Sequence, residues 1–112
     1  MKLSDAIRRE SNLAHEALSN DDLALAFHHF ERLHVLGQYY TGWHVGSHIG
    51  MLRIGWRRRD AREVIGQIAR IIAAALLSRI WLPRGNTGGA NVSPFAPMAI
   101  PDDLRAILDG AG

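Results

Sequence analysis

Asp22-Leu23-Ala24-Leu25-Ala26-Phe27-His28-His29-Phe30-Glu31-Arg32-Leu33-His34-Val35-Leu36-Gly37 is the stretch on which the fold turns. At about 100° per residue, Leu23, Ala26, Phe27, Phe30 and Leu33 share one stripe of a helix. Ser19-Asn20-Asp21-Asp22 ahead of them supplies a turn and an N-cap, and Gly37 is a natural residue to follow a helix end. The same pattern returns from Asp60 onward. Asp22-Leu23-x-x-Ala26-x-x-x-Phe30-x-x-Leu33 aligns with Asp60-Ala61-x-x-Val64-x-x-x-Ile68-x-x-Ile71, and upstream Ile7, Leu13 and Ala14 align with Val45, Met51 and Leu52. A helical hairpin used twice accounts for this spacing.

The rest of the chain is punctuated to match. A first helix runs from about Leu3 to Leu18. A third runs from about Trp43 to Arg59, with Arg57-Arg58-Arg59 at the negative end of its dipole. Asp60 with Glu63 forms a variant capping box and opens a fourth helix that stops before Pro83. Short connections make neighbouring helices antiparallel. The expectation is an all-α fold, a compact four-helix domain of two antiparallel hairpins within one domain, residues 1–112. Residues 1–82 form the core, and 83–112 form a packed Gly/Pro-rich tail in which Val92, Phe95, Met98 and Ile100 lie against the bundle. Pro101-Asp102-Asp103-Leu104 begins a short last helix ending near Gly110. The repeat resembles the second half of a tetratricopeptide motif, without that motif's Trp-x-x-Leu-Gly-x-x-Tyr signature.

Composition narrows the chemistry. The 112 residues contain no cysteine, so disulfides, thiolate zinc sites, iron–sulfur clusters and cysteine nucleophiles are excluded. Of thirteen basic residues all but Lys2 are arginine, which lifts the pI to about 9.7 although the formal charge is only +2. Charges interrupt every apolar run near Met1, and Ile71 to Leu77 falls far short of the roughly 20 residues a span requires. The expected location is therefore the cytoplasm, with no membrane span. Arg53, Arg57, Arg58, Arg59, Arg62 and Arg70 could form a basic face, but Asp60 and Glu63 are interleaved and no stacking aromatics accompany them. A solvated face is favoured over a nucleic-acid surface.

Polar residues inside apolar stripes mark the candidate site. Glu10 lies within the stripe of the first helix, His34 falls between Phe27 and Phe30 with Glu31 on the flank, and His44 and His48 share a face with Met51 and Leu52. The fourth helix contributes Val64, Ile65, Ile68, Ile71, Ile72, Ala75 and Leu76, and His15, His28 and His29 project towards solvent. Burying Glu10, Glu31, His34, His44 and His48 without partners would cost several kcal/mol, so they must pair with one another, with water or with a cation. Glu31-x-x-His34 sets a carboxylate and an imidazole one turn apart, and His44-x-x-x-His48 can clamp one ion. The set suits a divalent transition metal: Zn²⁺, Fe²⁺ or Mn²⁺ first, with Cu²⁺ or Ni²⁺ served by the histidines. No serine or other nucleophile stands beside a base and an orienting acid, so no reaction is assigned.

Glu31-Arg32-Leu33-His34-Val35-Leu36-Gly37-Gln38, His44-Val45-x-x-His48-x-x-Met51-Leu52, Arg57-Arg58-Arg59-Asp60-x-x-Glu63-Val64-x-Gly66-Gln67 and Gly85-Asn86-Thr87-Gly88 through Pro97-Met98 carry a resemblance. Together they resemble a family of small bacterial proteins of about this length catalogued as a domain of unknown function. Its association with heavy-metal resistance and transport implies a role in metal homeostasis or resistance for Glu31, His34, His44 and His48. Two readings follow from the sequence: a protein that holds a metal between helices, and a helical-hairpin adaptor without metal, with a protein partner or a second copy of the chain.

Overall fold

The computed structural model describes residues 1–77, 86–92 and 97–111. Four long helices, α1 (Leu3–Ser19), α2 (Leu23–Gly37), α3 (Thr41–Arg57) and α4 (Ala61–Leu77), are followed by the short α5 (Asp102–Ala106) and a π-helical turn, Ile107–Ala111. There is no strand among the described residues. Each long helix packs chiefly on its neighbour in sequence, so α1 and α2 form one hairpin, α3 and α4 the second, and α2 joins them to α3.

Local chemistry sets the boundaries. The Asp22 side chain accepts from Leu25 N–H, and Asp60 accepts from Glu63 N–H, each satisfying a donor that a helix start leaves open. Asp21 and Arg59, at φ 56° and 55°, make the tight turns inside the two hairpins. Gly37 does not end α2 in a left-handed turn, because the helix runs through it into Gln38, which is still right-handed. The glycine serves a close approach instead: a Cβ there would lie 2.8 Å from Trp43 Cβ. Pro101 sits at the N-cap of α5, one position earlier than the start of that helix suggested.

Phe30, Leu33, Leu36, Met51 and Ile54 are fully buried at the centre, each worth roughly 1.5–3 kcal/mol of apolar transfer. Phe30 reaches so far into α3 that its ring fills the space a Cβ would take on Gly50. Ile100 and Leu104 complete the core from the C-terminal segment. Val92 and Met98 are half-buried, whereas Phe95 and the end of the fourth helix before Pro83 fall outside the described residues.

The orientation of α4 corrects the helical-wheel expectation. Ile65, Ile68, Ile72 and Leu76 face outward, 68%, 47%, 57% and 72% exposed, while Gln67 is fully buried and Arg70 half-buried on the inner side. Counting apolar residues selected the wrong face, because the inner surface of this helix is built to meet polar groups on α3 and in the tail.

Candidate metal centre

Three histidines meet between α2 and α3. His34 projects from α2, and His44 and His48 project one turn apart from α3. All three are buried, their ring centroids are 4.6 to 5.0 Å apart, and one nitrogen from each lies within 4.8 Å of the others.

Their hydrogen bonds fix the tautomers. His34 Nδ1 is 2.6 Å from the Asn86 carbonyl, which can only accept, so Nδ1 carries the proton and Nε2 the lone pair. His48 Nδ1 is 2.7 Å from Gln67 Oε1. The Gln67 amide cannot be turned round, because its Nε2 donates to the Glu63 carboxylate at 2.6 Å and the Gly88 carbonyl at 2.9 Å. His48 therefore also donates from Nδ1 and keeps its lone pair on Nε2. His44 Nδ1 is buried with no hydrogen-bond partner. His34 and His48 thus have the arrangement of metal-ligating imidazoles, in which one nitrogen is held by a carbonyl or amide oxygen while the other is left for the ion.

Burial keeps the three rings neutral. His34 is held well below the ordinary imidazole range by desolvation first, with the neighbouring His48 and His44 adding to it. Desolvation brings His44 to about 4. It also brings His48 to about 4, against the opposing bond to Gln67. A metal entering here would meet three unprotonated imidazoles near neutral pH and displace few protons.

The tail closes the site. Gly88, at φ +82°, lies flat on the His34 ring, where a Cβ would be 2.6 Å from Cδ2. Gly88 N–H donates to the Asn86 side chain, and Ala90 N–H donates to Glu63 Oε2. Arg70 donates from α4 to the Val92 carbonyl. Asn86-Thr87-Gly88 is thus a fitted cover whose backbone carbonyls hold His34 directly and His48 through Gln67.

The two glutamates of the sequence reading stand differently. Glu31 is half-buried one turn before His34, its carboxyl pushed above the usual range by desolvation, with the Glu63 charge adding and the Thr87 hydroxyl opposing. Glu10 is buried inside α1's stripe, but its carboxylate accepts from His29 Nδ1 at 2.7 Å and Arg32 Nε at 2.8 Å, away from the three histidines. His29 is accordingly part-buried and engaged, while His15 and His28 are exposed.

Sequence reasoning missed Gln67, although it is fully buried and holds His48. It also passed over Gln38, whose side chain is fully buried with neither amide atom hydrogen-bonded. The signal was available, since Gln38 follows His34 by four residues and so lies on the same helical face.

The buried histidine cluster could hold a metal ion, with a fourth position left over as in zinc sites of three protein ligands. No curated protein and no solved structure matches the chain. A family model described as a protein of unknown function (DUF3703) matches residues 1–108, and the chain belongs to that family.

Proposed function

We propose that the protein binds one divalent transition-metal ion through His34, His44 and His48 and serves in metal homeostasis or resistance. The observation that carries this reading is that His34 and His48 have their Nδ1 protons committed to Asn86 and Gln67, which leaves Nε2 as the donor in a cluster with His44. Three buried imidazoles pressed together without a shared acid or ion would be a costly way to build a core. A tetrahedral zinc ion sets its nitrogen ligands about 3.3 Å apart, so the widest pair closes by about 1.5 Å, within reach of small side-chain rotations.

The all-nitrogen set favours Zn²⁺, Cu²⁺ or Ni²⁺, with Fe²⁺ next, over Mn²⁺, which prefers carboxylates. Glu31, one turn before His34, is the carboxylate available for the fourth position. Its desolvation and the Glu63 charge beside it make the neighbourhood favourable to a cation. Glu10 acts here as the anchor of an ion pair between α1 and α2 and not as a ligand.

Cobalt substitution tests the reading. Co²⁺ titrated into the chelator-treated protein is expected to give the intense visible absorption of a four-coordinate nitrogen site, saturating at one equivalent, and His44→Gln with His48→Gln is expected to abolish it. Absence of saturable binding to the intact chain would overturn the metal reading in favour of the metal-free helical adaptor.

A further inference from the structure

The outward face of α4 is an extended apolar surface. Every exposed position between Val64 and Leu76 is apolar, with Ile65, Ile68, Ile72 and Leu76 forming a stripe and alanines between them. These four side chains leave on the order of 400 Å² open, in the size range of the largest apolar patch on a typical protein, which is often functional.

The internal repeat says what kind of surface this is. Shifted back by one repeat, the offset that carries Asp60 onto Asp22, Ile65, Ile68, Ile72 and Leu76 fall on Phe27, Phe30, His34 and Gln38. That is the face of α2 that receives α3: Phe30 packs on Gly50, His34 on His44 and His48. The open face of α4 is therefore the position at which a further helix would be stacked. Repeat stacks normally end in a polar face, and α4 lacks one.

The other end of the stack has such a face. Where α3 has Trp43, Gly46 and Gly50, α1 has Asp5, Arg8 and Asn12, all exposed. A second copy cannot continue the stack head to tail by laying its α1 on α4, because these polar groups would be buried without partners. An apolar face without charges has a complement in itself, and pairing it with itself closes the assembly with two-fold symmetry.

We propose that the chain forms a homodimer in which the outward faces of two α4 helices pack antiparallel. One register pairs Ile65 with the partner copy's position 76, Ile68 with position 73 and Ala69 with position 72, so that large residues meet small ones at two of the three layers. It also separates the exposed Arg58, Arg59 and Arg62 of the two copies, which a parallel pair would bring together. The two stripes together offer on the order of 800 Å², and the exposed Ala69, Ala73 and Ala75 extend them towards the about 1,200 Å² at which specific interfaces begin.

Sedimentation velocity on the full chain tests this. The unaltered protein is expected at twice the 12.4 kDa chain mass, and Ile68→Glu with Ile72→Glu, both at outward positions, at the monomer mass with unchanged helical circular dichroism. A monomeric unaltered protein at all concentrations, or a dimer that persists in the double variant, overturns the proposal. Because the chain has no cysteine, Ala61→Cys also allows a single spin label in an otherwise unaltered protein. The antiparallel pair predicts a label separation of about 30 Å from helix rise and spacing. A separation of about 10 Å, the spacing of helices packed side by side in parallel, or no intermolecular coupling, contradicts it.

Discussion

His48 Nδ1 donates to Gln67 Oε1 at 2.7 Å across 19 residues of chain, and His29 Nδ1 donates to Glu10 Oε2 at the same length across the same interval. Moving the second pair forward by one repeat places Glu10 on His48 and His29 on Gln67, so the two hairpins use one inter-helix contact with different chemistry. In the first hairpin it is a hydrogen bond to a carboxylate that also pairs with Arg32, which in turn reaches Asp103 on α5. In the second it is a neutral bond that turns a histidine towards two others.

That relationship makes Gln67 a positioning residue. Gln67→Leu is expected to weaken metal binding by about 10- to 100-fold, the usual effect of removing a group that orients a ligating imidazole. Gln67→Glu combined with Glu63→Gln keeps an acceptor for His48 Nδ1 and the hydrogen bond between positions 63 and 67, and is expected to restore part of it. Competition against a chromophoric chelator measures both, and equal losses in the two variants would show that Gln67 acts only through packing.

Acid should destabilise the metal-free protein in a defined window. His44 and His48 have native values near 4 against 6.5 for a free imidazole, and His34 is also held well below it. Between those values the unfolded chain binds more protons than the native one, so stability is fully present above about 6.5 and is lost as the pH falls towards 4. His48 alone corresponds to roughly 3 kcal/mol by this linkage. Urea titrations at pH 7 and pH 4.5 in the presence of chelator should resolve the loss, and replacing His48 with Gln should reduce the difference.

Gly88→Ala is expected to damage the cover over His34. The substitution combines a positive φ with a Cβ 2.6 Å from the imidazole, and a cost of about 1–3 kcal/mol follows. Gly42→Ala, in open space at the start of α3, is the control and should be neutral or mildly stabilising. Thermal melts of the two variants decide this, and a Gly88→Ala protein as stable as the unaltered one would count against a fitted cover.

Glu10→Ala separates anchor from ligand. Losing the carboxylate leaves His29 without its buried partner and Arg32 with the exposed Asp103 alone, and is expected to cost about 1–3 kcal/mol. Metal stoichiometry should stay at one per chain. A variant that folds but binds no metal would return Glu10 to the ligand set.

Helix order, the hairpin repeat and the inward turn of His34, His44 and His48 were legible because they rest on local periodicity, caps and i, i+4 spacing. Glu10 was legible as buried but not as paired, since a helical wheel shows that a residue faces inward without showing which neighbour it meets. The face of α4 was misread for a related reason. Its apolar stripe is wider than its polar one, and nothing local reveals that Gln67 and Arg70 are wanted inside by His48 and the tail. Gly88 was legible only as part of a Gly/Pro-rich tail, because its contact with His34, far away in sequence, depends on where the tail returns.

The most direct test is the metal content of untagged protein purified without chelator, measured by elemental analysis beside the triple variant His34→Gln, His44→Gln, His48→Gln. Close to one transition-metal ion per chain is expected in the unaltered protein and none in the variant. Metal-free protein that stays empty after incubation with Zn²⁺, Cu²⁺, Ni²⁺ and Fe²⁺, or equal metal in the triple variant, would contradict it.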